Sequence, residues 1–315
     1  MRQRLVLAAT VLSLVGCSVV SVDLTPRVRP LEEATLEGKG SAKVLLIDLA
    51  GVLAEEPILT LESRPQVPLL ARVREELEKA EDDDRVRAVV LRINSPGGTV
   101  TASDILYHEI MRFKERRKVP VVASILDVGA SGGYYVALAA DRILVHPTTV
   151  TGSIGVLMMT VNAGGLLEKI GVSASYVKSG EFKDMGSPFR SLRPEERALF
   201  QALIDRFYGR FVELVARSRR LEEARVRAFA DGRVYTASEA IALGLVDQVG
   251  YLEEAITAAK GAAGLAEAKV VTYHRPRQYR ATIYSAAETP APVTSLADLA
   301  RIVVSGPRFL YLWWP

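Results

Sequence analysis

Residues 86–139, VRAVVLRINSPGGTVTASDILYHEIMRFKERRKVPVVASILDVGASGGYYVALA, decide how the fold is read. Val86 to Ile93 is an apolar run of strand length that stops at Asn94-Ser95-Pro96-Gly97-Gly98. A proline followed by two glycines punctuates a chain, and helix-period apolar residues resume from about Ala102 to Arg116. Val119 to Ile125 repeats the strand. The small residues Gly129-Ala130-Ser131-Gly132-Gly133 then lead into a second helical stretch that starts near Ser131. Strand, helix, strand, helix at this spacing predicts βαβ units, a parallel sheet and right-handed crossovers.

The alternation extends outward in both directions. Lys43 to Leu49 is another apolar strand, followed by helix-period residues from Pro68 to Ala80 and the acidic patch Glu81 to Asp84. Downstream, strands are expected at Arg142 to Val145 and at Ala174 to Lys178. Arg193-Pro194-Glu195-Glu196 is a helix start, with proline and acids in the first turn. Ala198, Leu199, Leu203, Phe207, Phe211, Leu214 and Val215 then keep one apolar face. Leu243-Gly244-Leu245-Val246-Asp247 and Val249-Gly250 read as a helix stop and a short edge segment. Residues 288–294 have the Pro/Ala/Thr content of a linker, and Leu296 to Pro315 mix apolar and aromatic types. That last stretch has three readings: assembly between copies, contact with a bilayer, or packing on its own domain.

Composition narrows the class. The 315 residues are 49% hydrophobic and 24% charged, as in globular chains, and can bury a large core. Forty Lys+Arg against 37 Asp+Glu, both scattered, leave no electrostatic footprint for nucleic acid. His108, His146, His274 and one cysteine are too few soft ligands for a zinc site, so chemistry without metal or cofactor is expected. Arg2 and Arg4 precede an uncharged run from Leu5 to Gly16 that is too short to span a bilayer, the pattern of an export signal. Leu14-Val15-Gly16-Cys17 resembles a bacterial lipobox, which implies lipidation at Cys17 and a membrane-anchored lipoprotein of the cell envelope. The expected organisation is a signal peptide at 1–16, a tether at 17–40, a main folded domain at 41–265 and a C-terminal extension at 266–315.

Two stretches can carry acyl chemistry. In Asp127-Val128-Gly129-Ala130-Ser131-Gly132-Gly133-Tyr134-Tyr135, a serine among small residues sits between strand and helix. A substrate backbone can approach such a hydroxyl closely, and free N–H groups there can receive an oxyanion. The G-x-S-x-G elbow is partly matched, and the same string also fits a plain turn capped by Ser131. Asn94 to Gly98 can supply further N–H donors or be only a turn. The histidines lack a supporting pattern. A lysine can act as base where burial disfavours its charged form, but on composition alone Lys183 is one of 40 basic residues.

Taken together, Asn94 to Gly98, Gly129 to Tyr135, Thr151-Gly152-Ser153-Ile154-Gly155-Val156 and Ser179 to Arg190 resemble the signal peptide peptidase A family, over about residues 43 to 260. The resemblance implies a ClpP/crotonase-like α/β fold of repeated βαβ units with additional C-terminal helices, and a Ser-Lys dyad. It assigns Ser131 as nucleophile, Lys183 as base and Ser153 as the residue orienting that lysine. Gly98 and Gly132 match the oxyanion-hole donors. The implied activity is serine endopeptidase, acting on leftover signal peptides or other unfolded apolar peptides and assembling as a homo-oligomeric ring. A broader envelope quality-control protease, an acyl-CoA enzyme of the crotonase type and a noncatalytic scaffold are the rival readings.

Overall fold

The computed structural model describes residues 30–55, 67–276, 282–285 and 308–313. The first half of the chain contributes β1 (Glu32–Glu37), β2 (Lys43–Ala50), α1 (Leu69–Glu81), β3 (Val86–Ser95), β4 (Gly97–Thr99), α2 (Val100–Arg117), β5 (Val121–Ala130), α3 (Gly132–Ala137) and β6 (Arg142–Val145). There follow β7 (Val150–Gly152), β8 (Leu157–Met159), α4 (Gly164–Lys169), α5 (Pro194–Arg219), α6 (Glu223–Phe229), β9 (Val234–Thr236) and α7 (Ala237–Leu243). The last described elements are β10 (Gln248–Val249), α8 (Leu252–Ala262), β11 (Lys269–His274) and β12 (Arg308–Leu312).

The main sheet runs β1-β11-β2-β3-β5-β6-β10, with β7 continuing beside β5 and β9 beside β7. Neighbours from β11 to β10 are parallel, as the alternation predicts, and the flanking pairs β1·β11 and β7·β9 are antiparallel. Why the strands are mostly apolar is visible in the packing, because helices cover both faces. Leu45, Ile47, Leu49, Val89 and Leu91 face α1, α2, α3 and α5 through Val73, Leu77, Leu106, Ile110, Tyr134 and Phe211. Their neighbours Val44, Leu46, Ala88 and Val90 face the other way onto Leu252, Ile256 and Ala259 of α8. Side chains alternate along a strand, so one apolar run feeds two cores.

Three expectations are corrected. The stretch 17–40, read as a tether, includes β1, whose partly buried Leu36 packs on the α8 core while Glu33 pairs with Lys43 at 2.6 Å. Its glutamates hide an edge-strand alternation. Ala174 to Lys178 is irregular, not a strand: it has no ladder partner among the described residues, and Val177 is fully exposed. β11, placed by the sequence in the C-terminal extension, is the parallel neighbour of β2. Cys17, the 1–16 signal and the 288–294 linker lie outside the described residues. Among the described residues no helix is long and apolar enough to cross a membrane.

Candidate active site

β5 must turn abruptly into α3, and Ser131 takes that corner at φ 52°, ψ −116°, backbone that favours glycine. Its N–H donates to the Gly152 carbonyl at 2.7 Å, and its own carbonyl accepts from the Tyr135 N–H at 2.8 Å. Two bonds to different elements therefore hold a conformation that costs on the order of 1–3 kcal/mol. The hydroxyl makes no capping bond to α3, and the residue is 1% exposed. Ser131 is thus strained and buried, with its hydroxyl not committed to the helix end.

Gly98 and Gly132 are brought to the same corner. A Cβ on Gly98 would overlap the Leu53 carbonyl oxygen, because Leu53 bonds on both sides of it: its N–H to the Gly97 carbonyl at 2.8 Å, and its carbonyl from the Thr99 N–H at 2.8 Å. A Cβ on Gly132 would overlap the Ser103 hydroxyl and stand 3.0 Å from the Tyr311 carbonyl oxygen. Close backbone approach thus dictates glycine at both positions. Ser153 lies one residue beyond the Gly152 carbonyl that holds Ser131. It is 6% exposed at φ 50°, with its N–H on the Arg233 carbonyl at 2.8 Å.

Lys183 is placed differently. It is exposed on the turn 181–186, and among the described residues no hydrogen bond or ion pair joins its ammonium to Ser131 or Ser153. The turn itself is clamped on both sides of the lysine. Asp184 accepts from Lys178 at 2.6 Å and from Arg190 at 2.9 Å, and Arg190 also donates to the fully buried Glu196 at 2.5 and 2.9 Å. Phe182 lies under the Arg193 guanidinium, which bonds Glu196 at 2.7 Å. Those bonds, Arg190 first, hold the Glu196 carboxyl down at about 2 against the opposing effect of burial.

The clamp has two measurable consequences. A lowered carboxyl stabilises where the unfolded chain would be ionised, so the clamp is fully effective above the ordinary glutamate value of 4.5 and is lost as pH falls towards 2. Protection of residues 181–193 against hydrogen exchange, taken relative to the intrinsic rate at each pH, should be lost through that window ahead of the sheet. On the resemblance's assignment of Lys183 as base, Arg190→Ala at neutral pH is expected to lower kcat/KM by about 10²-fold through misplacement of the turn, read by steady-state kinetics.

Neither histidine with a clear setting joins the site. His146 bonds Thr148 at 2.9 Å and packs on Tyr251, and His108 is exposed on α2. Sequence reading did not find Leu53, Ser103 or the role of β12. Leu53 and Ser103 are ordinary residues whose importance is only their distance from two glycines. β12 had a signal in the alternation Phe309-Leu310-Tyr311-Leu312-Trp313, and of its three readings the structure has packing on the chain's own domain, with Tyr311 fully buried.

Comparison with known proteins places this geometry. The Peptidase family S49 profile matches residues 113–266, and the Clp protease profile matches residues 41–152. An SppA signal peptide peptidase homologue of Enterococcus faecium is 37% identical over 242 residues, covering 77% of this chain and 70% of that one. A protease homologue of Synechocystis is 45% identical over 192 residues, 61% of this chain and 69% of that one. Protease 4 of Haemophilus influenzae is 39% identical over 184 residues, 58% of this chain but 30% of its own length. The chain belongs to the signal peptide peptidase A family, peptidase family S49, and is a serine peptidase with a ClpP-like α/β fold.

Proposed function

We propose that the protein is an endopeptidase working through a Ser131–Lys183 dyad, held at the cell envelope by a lipid on Cys17, and that it degrades leftover signal peptides and other unfolded apolar segments. The observation that carries this reading is the strained, buried Ser131 beside Gly98 and Gly132, with its hydroxyl free of any capping duty. Lys183 takes the proton of Ser131 Oγ as that oxygen bonds to the peptide carbonyl carbon. The N–H groups of Gly98 and Gly132 receive the oxyanion. Collapse breaks the C–N bond, and the Lys183 ammonium returns the proton to the leaving amine. Water, deprotonated by the same lysine, then attacks the acyl-serine, releasing the acid and restoring Ser131. Ser153 orients the lysine.

A lysine works this way only out of water, and its turn is solvated in the single chain. What supports burial on assembly is the number of exposed apolar side chains in the stretch 157–189 that carries it, among them Leu166, Ile170, Val172, Phe182 and Phe189. Apolar surface of this extent marks an interface, and copies packed through it give a homo-oligomer in which Lys183 is desolvated. Incubating the full chain with apolar peptides and reading products by mass spectrometry tests the proposal. Lys183→Ala is expected to lose about 10³-fold or more in rate while keeping the wild-type melting curve. Near-full activity in that variant would sink the dyad.

A further inference from the structure

The corner beside Ser131 is built from the residues least able to hold a direction of their own. Close approach dictates glycine at Gly97 as at Gly98: Gly97 adopts φ 101°, and a Cβ on it would overlap the Tyr311 carbonyl oxygen. Glycine has the widest backbone freedom of any residue. The peptide unit between two glycines therefore swings unless something outside it takes hold, and its N–H is the donor at Gly98.

Two bonds from behind take hold. The Leu53 N–H donates to the Gly97 carbonyl at 2.8 Å. That carbonyl and the Gly98 N–H belong to one trans peptide plane and point in opposite directions, so Leu53 aims the N–H away from itself. Gly132 is close by: its nitrogen lies 2.6 Å from where a Cβ on Gly97 would stand. The second bond comes from Ser95, which is fully buried. Its hydroxyl accepts from the Gly97 N–H at 3.1 Å and donates to the Gly51 carbonyl at 2.6 Å. Ser95 is itself fixed, in register with Gly129 of β5 and with its carbonyl against Gly133 of α3. Gly51 in turn donates its N–H to the Asn94 carbonyl at 3.0 Å. One hydroxyl thus ties the chain just past β2 to the first residue of β4.

We infer that Ser95 is a positioning residue of the peptidase, fixing through Gly97 the direction in which the Gly98 N–H meets the oxyanion. The inference rests on the reading of Gly98 as an oxyanion donor and adds the residue that holds it in place. The peptide planes on either side of Gly97 are each pinned, one by Ser95 and one by Leu53, so both of its dihedrals are set before substrate arrives. A preorganised donor needs no reorganisation as charge develops on the acyl oxygen, whereas a donor left to swing does. The substrate carbonyl carries little of that charge, so the loss falls on the transition state: kcat drops and KM holds.

The test uses the full chain, an internally quenched apolar peptide and the aldehyde of a peptide that the protein cuts. On the aldehyde, Ser131 Oγ bonds to the carbonyl carbon, its proton passes to Lys183, and the carbonyl oxygen becomes the anion that the Gly98 and Gly132 N–H groups receive. Ser95→Ala should lower kcat about 10- to 100-fold with KM changed by less than about 2-fold, and weaken aldehyde inhibition by the same factor as kcat. Ser95→Cys keeps the shape with a weaker donor and acceptor, and should fall between alanine and wild type. End-point labelling of Ser131 by a fluorophosphonate counts folded sites, so every rate is taken per labelled site. Thr149→Val removes an equally buried hydroxyl that bonds the Ile125 carbonyl at 3.1 Å, mid-strand on β5, and should lower the melting temperature with kcat per site unchanged. Wild-type kcat in Ser95→Ala, a fall in kcat with aldehyde affinity kept, or an equal fall in Thr149→Val overturns the positioning role alone. Should Ser95→Ala not fold, wild-type kcat and aldehyde affinity in Ser95→Cys overturn it. A wild-type chain that cuts no peptide and takes no label brings down the peptidase reading and this inference with it.

Discussion

Ser131→Ala should lower kcat/KM for peptide cleavage by about 10³-fold or more, with the melting temperature unchanged within about 2 °C. Loss of the attacking oxygen leaves only binding and oxyanion contacts, so the residual rate measures those alone. The stability half of the expectation comes from the backbone. The strained corner at φ 52° is held by the main-chain bonds to Gly152 and Tyr135, which alanine keeps. The serine hydroxyl makes no bond that caps α3, so its removal costs the helix nothing. Ser131→Gly separates the two effects: it should be equally inactive and more stable by about 1 kcal/mol, because glycine adopts the corner without strain. Steady-state kinetics beside thermal unfolding of the three proteins checks both halves. A Ser131→Ala protein that still cut peptides would remove the nucleophile from the mechanism.

The second large effect is on folding. Arg92 lies mid-strand on β3, 4% exposed, opposite Asp48 in register on β2. Its guanidinium pairs with the Asp48 carboxylate and donates to the Ile283 carbonyl and, at 2.7 Å, to the Ser285 carbonyl. One side chain thus neutralises a buried acid and fastens residues 282–285 to the α8 side of the sheet. Arg92→Leu should cost about 3–5 kcal/mol, since it removes the guanidinium that pairs with a buried carboxylate and donates to two carbonyls. Arg92→Leu combined with Asp48→Leu should recover a good part of that, because the buried carboxylate is then gone as well. Chemical denaturation of the two variants measures the difference. A single variant as stable as the wild type would show that the pair contributes little.

How far the sequence could be read follows from which interactions are local. β2, α1, β3, α2, β5 and β6 were legible because each carries its own pattern: mostly apolar runs for doubly covered strands, and three- and four-residue spacing for helices. The corner at Ser131 was legible as small residues between two such periods. β1 was not, because a segment with Glu32, Glu33 and Glu37 looks solvated until Leu36 finds the α8 core. Ala174 to Lys178 misled in the opposite sense: Tyr176 and Val177 have strand propensity but no strand beside them to bond. The small sheet in which β12 pairs with β4 and β8 could not be found, since three three-to-five-residue strands far apart in the chain carry no mutual signal. Lys183 was named by motif, while its exposure depends on what covers the turn, which no local pattern encodes.

The parallel pairing of β11 with β2, Lys269 against Lys43, carries a consequence for biosynthesis. At roughly 5–20 residues per second, some ten to forty seconds of chain growth separate the two strands. Throughout that interval the nascent polypeptide offers the β11 flank of Lys43 to Leu45 with no strand to bond it. A chaperone that shields extended apolar segments would find its binding site there, and a ribosome stalled before residue 269 would leave a product prone to aggregate.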